Sequence, residues 1–113
     1  MTPDLSIVVP VYEEADSLPE LAESIRDAMD GAGLTFEVWL VDDGSKDASW
    51  DVIERIHRED RRFAGVRFRR NYGQTAALQA GFDQARGDVI ITLDGDLQND
   101  PRDPDRNTGG EDD

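Results

Sequence analysis

The chain has 113 residues, the size of one small α/β domain that can bury roughly two thirds of its surface, and a second domain is not expected. Its 26 acidic and 12 basic residues give a formal charge of -14, which disfavours non-specific attraction to nucleic acid or to anionic membrane surfaces. The absence of cysteine excludes disulfides, thiol chemistry and Cys-based zinc sites. Only one basic residue is a lysine, Lys46, and an Asp-rich, Lys-poor surface suggests a protein kept soluble in strong salt, hence a halophilic source. No charged-then-apolar leader opens the chain and no apolar run approaches the roughly 18 residues of a membrane span, so the expected location is cytoplasmic.

In chain order, Leu5 to Val11 is a β-branched run expected to form a buried parallel strand ending near Pro10. Ser17 followed by Glu20 resembles a capping box, and Leu18, Leu21, Ala22, Ile25, Ala28 and Met29 recur at helical spacing until Gly31. Phe36 to Val41 reads as the second strand, closed by the turn residues Asp42-Asp43-Gly44-Ser45. Trp50, Ile53 and Ile56 give the second helix its buried stripe, and Val66 to Arg69 makes a third, shorter strand. Gln74 to Ala85 is a small-residue helix closed by Gly87, and Asp88 to Leu93 is the fourth strand. Strands alternating with helices call for an α/β fold: a Rossmann-like parallel sheet with helices on both faces, spanning residues 1–98. From Asn99 to Asp113 the chain is charged and carries no core-forming side chain, so an acidic, disordered tail is expected over 99–113.

In open parallel sheets, ligands bind beyond the carboxyl ends of the strands. The first strand runs into Pro10, Tyr12, Glu13 and Glu14, the second into Asp42 and Asp43, and the fourth into Asp94-Gly95-Asp96. Acids from three distant segments are thus expected on one rim. Asp94 and Asp96, separated by one glycine, can turn toward a single Mg²⁺ or Mn²⁺, and the crowd of carboxylates makes more physical sense with a cation bridging to a diphosphate. Taken alone, Asp42-Asp43-Gly44-Ser45 is also an ordinary turn with a helix cap, and Asp94-Gly95-Asp96 a solvated turn. Trp39 and Trp50 read as core, and the lone His57 as part of a solvated helix face. No dinucleotide fingerprint or Walker-type loop is present.

The segments IVVPVYEE, VDDGSKD, RRNYGQTAALQAGF and GDVIITLDGDLQNDP resemble the successive blocks of family 2 glycosyltransferases, most closely the polyisoprenyl-phosphate enzymes related to dolichyl-phosphate mannose synthase. The likeness covers Leu5 to Pro101. It implies the nucleotide-binding half of a GT-A fold that binds a UDP- or GDP-sugar and transfers the sugar with inversion to a lipid phosphate such as a polyisoprenyl phosphate. By that resemblance Pro10, Tyr12 and Glu14 would line the base and ribose pocket, and Asp43, with Asp42, would hydrogen-bond the base or ribose. Asp94 and Asp96 would be the metal-binding DXD motif, with Gln98 nearby. The block Arg70, Asn71, Tyr72, Gly73 and Gln74 would pack beside the nucleotide, with Arg70 offsetting the diphosphate charge. The family pattern normally continues into an acceptor half and membrane-associated helices that these residues do not provide, leaving a nucleotide-binding module without catalysis as the rival reading. No catalytic base is assignable. An uncovered fourth strand would favour self-association into a homo-oligomer.

Overall fold

The computed structural model describes residues 2–94. Seven elements alternate: β1 (Leu5–Val11), α1 (Leu18–Ala32), β2 (Phe36–Asp42), α2 (Ser49–Glu59), β3 (Phe63–Arg67), α3 (Gln74–Gln84) and β4 (Val89–Thr92). All strands are parallel, in the order β3-β2-β1-β4. The chain therefore builds outward from β1 through β2 to β3, then returns to the other side of β1 with β4. That reversal leaves a crevice at the carboxyl ends of β1 and β4.

The central strands are buried on both sides because their apolar residues are continuous rather than alternating. On one face Ile7, Val9 and Val11 of β1 and Phe36, Val38 and Leu40 of β2 pack with Leu18, Leu21, Ala22 and Ile25 of α1, with Ile53 and Ile56 of α2 and with Phe63. Each of the larger side chains, once fully buried, contributes about 1.5–3 kcal/mol. The other face carries α3, whose small residues let it settle close to the sheet. A methyl group on Gly81 would stand 2.2 Å from a Val8 methyl, and Ala77 is wholly buried. Helices on both faces, as expected, make the sheet a sandwiched layer.

Local details differ from the sequence reading. The first strand runs through Pro10 to Val11, with Pro10 opposite Val41. The proline is tolerated because Val11 bonds toward β2, leaving the Pro10 nitrogen facing the β4 side, where pairing stops at Val8 and Thr92. The capping box does not form. The Ser17 hydroxyl donates to the Glu14 carbonyl at 3.3 Å, and α1 starts with a proline in its first turn and ends at left-handed Gly33 rather than at Gly31. The third strand lies over Phe63–Arg67, earlier than Val66 to Arg69, because Phe63 is drawn into the core beside Phe36 at 6.0 Å between ring centroids. His57 is not on an open face: its Nδ1–H donates to the Phe63 carbonyl at 2.6 Å.

At the opposite end of the sheet from the crevice, a polar cluster fixes where α3 hands over to β4. Glu37, nearly buried, accepts from the Ser6 hydroxyl at 2.5 Å, the Arg86 backbone N–H at 2.7 Å and the Arg86 guanidinium at 3.2 Å. The Ser6 oxygen also accepts the Gly87 N–H at 2.7 Å. Burial pushes the Glu37 carboxyl up, but the bonds from Ser6 and Arg86 outweigh it and hold it below the usual carboxylate range. β4 is thereby registered beside β1, which is what places Asp94 at the crevice.

Candidate nucleotide-sugar cleft

The crevice between the ends of β1 and β4 is a cleft of about 130 Å³ lined by Pro10, Val11, Tyr12, Glu14, Asp43, Gln74 and Asp94. Four elements supply these residues. Pro10 and Val11 end β1, Tyr12 and Glu14 follow it, Asp43 follows β2, Gln74 opens α3 and Asp94 follows β4. The volume is below the roughly 300–1,000 Å³ of a complete small-molecule site, so it suits one part of a larger ligand.

Asp43 is held by the loop before α3. Its carboxylate accepts the Tyr72 N–H at 2.7 Å, the Gly73 N–H at 3.1 and 3.2 Å and the Asn71 side-chain amide at 3.2 Å. The Asn71 amide also donates to the Asp43 carbonyl. Gly44 completes the junction: with φ at +77°, it lies so near Arg70 and Asn71 that an added Cβ would be 2.2 Å from the Arg70 carbonyl carbon. The β2 and β3 loops are therefore locked together, and the N-terminus of α3, with its free N–H groups and partial positive charge, faces the cleft at Gln74.

Adjacent residues on a strand face opposite ways, and this separates the paired acids. Asp42 is wholly buried and does not line the cleft; one of its carboxylate oxygens accepts the Ser45 N–H at 3.0 Å and the other has no hydrogen-bond partner. Arg70 is exposed and also stands outside the lining, its guanidinium 5.6 Å from the centroid of the Tyr72 ring. Tyr12 is 44% exposed, and its hydroxyl is held protonated above the ordinary tyrosine range by the nearby Glu13 charge, then by desolvation and by Asp43 and Asp47. Asp96 and Gln98 lie outside the described residues. Of the block Arg70 to Gln74 expected beside the nucleotide, Gln74, which opens a helix at the carboxyl edge of the sheet, is the residue that lines the cleft.

Among the described residues no three His, Cys, Asp or Glu side chains gather closely enough to hold a metal ion. The donors at hand are nonetheless of one chemical kind. Asp94 and Glu14 bring carboxylates to the cleft, there is no cysteine, and the only histidine, His57 on α2, is bonded to the Phe63 carbonyl. Such a set fits a hard cation of the Mg²⁺ or Mn²⁺ type rather than a thiophilic metal.

This arrangement is an α/β domain whose acid-lined cleft lies at the strand reversal, where open parallel sheets take their ligands. Residues 6–104 match the family model described as glycosyl transferase family 2, and the chain belongs to that family. Over 98 residues it is 53% identical to the undecaprenyl-phosphate 4-deoxy-4-formamido-L-arabinose transferase of Pseudomonas syringae, a match covering 86% of this chain and 29% of that protein. It is 51% identical to the enzyme of the same name from Shewanella sediminis, covering 86% of this chain and 30% of that one. The chain thus spans less than a third of the length of these relatives. Among solved structures, a mannosyltransferase from Pyrobaculum calidifontis in complex with GDP-Man and Mn²⁺ superposes with a TM-score of 0.72 at 24% identity, covering 85% of this chain and 28% of that one. TarS from S. aureus, residues 1–349, gives 0.69 at 24% identity with the same coverage. These likenesses establish the GT-A type of fold.

Proposed function

We propose that this chain binds the nucleoside-diphosphate part of a sugar donor together with Mg²⁺ or Mn²⁺, and that in the full-length protein the sugar passes with inversion to a polyisoprenyl phosphate. The observation that carries this reading is the meeting of Glu14, Asp43 and Asp94, from three separate strand ends, around one cleft. The carboxylates would repel a diphosphate on their own, and a divalent cation held on the Asp94 side of the cleft would offset that repulsion. The relatives' names, with undecaprenyl phosphate in them, and the GDP-Man and Mn²⁺ in the Pyrobaculum neighbour agree with it.

In this reading Pro10 and Tyr12 form one wall for the base and ribose, and Asp43 presents a polar edge opposite them. Asp43 does so while already bound to the loop before α3, so its orientation is set before the ligand arrives. Asp94, with Asp96 by the family resemblance, would hold the cation, which when bound would supply charge neutralisation for the departing diphosphate. Gln74 and the first N–H groups of α3 face the phosphates, and Arg70 adds a counter-charge if its side chain swings from Tyr72. Asp42 acts at one remove, by fixing Ser45. A lipid-phosphate acceptor is already an anion and needs little help from a base. The domain works on the cytoplasmic face of the membrane that carries the lipid; among the described residues no helix is long and apolar enough to cross one.

Calorimetric titration with UDP- and GDP-sugars, with and without Mn²⁺, tests the proposal. Metal-dependent binding that is lost in Asp94→Asn is expected. Absence of binding to either nucleotide, or binding indifferent to metal and to Asp94, would overturn it.

A further inference from the structure

Glu13 is the single residue other than glycine with a positive φ among the described residues, at 54°. A side chain in the left-handed region is disfavoured by about 1–2 kcal/mol, so something must hold it there. The second loop does. The Glu13 N–H donates to the Ser45 hydroxyl at 2.8 Å, the Lys46 N–H donates to the Glu13 carboxylate at 3.4 Å, and the next N–H, of Glu14, donates to the Ser49 hydroxyl at 2.9 Å. Ser45 is in turn tied to the buried Asp42 carboxylate, and Ser49 donates its own N–H to Asp47 at 2.9 Å.

The residues on either side of this kink are the ones that matter to the cleft. Tyr12 and Glu14 both line it, whereas Glu13, Ser45 and Ser49 do not. We infer that Glu13, clamped by Ser45, is a positioning residue: its left-handed backbone aims Tyr12 and Glu14 at the nucleotide, and the buried Asp42 acts through Ser45 to keep that aim. The inference rests on the cleft being the nucleotide site. It also gives the fully buried Asp42 a task that direct ligation cannot.

Two pairs of substitutions test it on the whole chain, with UDP and GDP plus Mn²⁺ as probes. Ser45→Ala removes the clamp and should raise the Kd of whichever nucleotide binds by about tenfold, while Ser45→Thr, which keeps a hydroxyl, should recover most of the loss. At Glu13 the backbone is what counts. Glu13→Val, whose branched side chain resists a positive φ, should weaken binding about tenfold more than Glu13→Gly, which adopts it freely. If all four variants bind as tightly as the parent, or if Glu13→Gly loses as much as Glu13→Val, the inference fails. A lower melting temperature with unchanged Kd in Ser45→Ala would reduce the clamp to a purely structural contact and also overturn it.

Amide hydrogen exchange separates this from the underlying functional reading, because it needs no ligand. Ser45→Ala should speed exchange at Glu13 by about tenfold or more and alter the environment of the Tyr12 ring. Should the parent bind neither nucleotide, the functional reading falls, yet the exchange result still decides the clamp: unchanged protection at Glu13 and an unmoved Tyr12 refute it.

Discussion

The carboxylate of Asp43 accepts the backbone N–H of Tyr72 at 2.7 Å, and through that bond the end of β2 holds the loop that introduces α3. The relationship spans two loops remote in sequence, and it determines where both Asp43 and Gln74 stand in the cleft. Asp43→Ala would leave the N–H groups of Tyr72 and Gly73 without their acceptor, at a cost of about 1–3 kcal/mol. Denaturant unfolding should show that loss, with exchange accelerated first at residues 71–73.

Gly44 makes the same junction by shape. An alanine there would need a positive φ and would place its Cβ inside van der Waals distance of the Arg70 and Asn71 backbone. Gly44→Ala should therefore destabilise by more than about 2 kcal/mol, measurable by chemical denaturation, since backbone rather than a flexible side chain would have to move.

Glu37 links stability to pH. Burial works against its charge, but the bonds from Ser6 and Arg86 win, so its folded pKa lies below its unfolded value. Its contribution is consequently present above the unfolded value of about 4.3 and disappears as the pH falls through the folded one. Thermal melts of the parent and Glu37→Gln should differ most near neutrality, with the parent the more stable, and converge at acid pH. A difference that grew on acidification would contradict the assigned direction.

Among the described residues β4 is one of the sheet's two edge strands. Val89, Ile90 and Ile91 are 53%, 44% and 38% accessible, an apolar run at an unpaired backbone. Concentration-dependent association is expected in sedimentation, strengthened by salt that screens the charge of -14. Ile90→Lys should shift the chain toward monomer, whereas a parent that stays monomeric at high concentration would count against the edge as a contact surface.

The same charge predicts a response of the fold itself. With acids so numerous and lysine nearly absent, screening should relieve self-repulsion, and the melting temperature should rise between low and molar salt. Destabilisation by molar salt would sink the halophilic reading.

Much of the fold was legible in single segments because its signals are local. The apolar runs of β1 and β2, the helical spacing from Leu18 to Ile25 and the acids following each strand all lie within a few residues. The third strand was misplaced because Phe63 sits directly behind a charged stretch, and only its contact with Phe36 across β2 reveals it as core. His57 was likewise misread, since its partner is a backbone carbonyl on the next strand.

By itself the amino-acid sequence determined the alternation of strands and helices, the burial of the central strands and the gathering of acids at strand ends, all consequences of short-range periodicity and residue chemistry. Tertiary structure alone decided that β4 returns beside β1 to open the cleft, that Asp43 faces it while Asp42 is sealed beneath, and that Ser45 holds Glu13 in its kink. Those outcomes depend on pairings between residues some thirty to ninety positions apart, whose energies arise only once the chain has closed on itself.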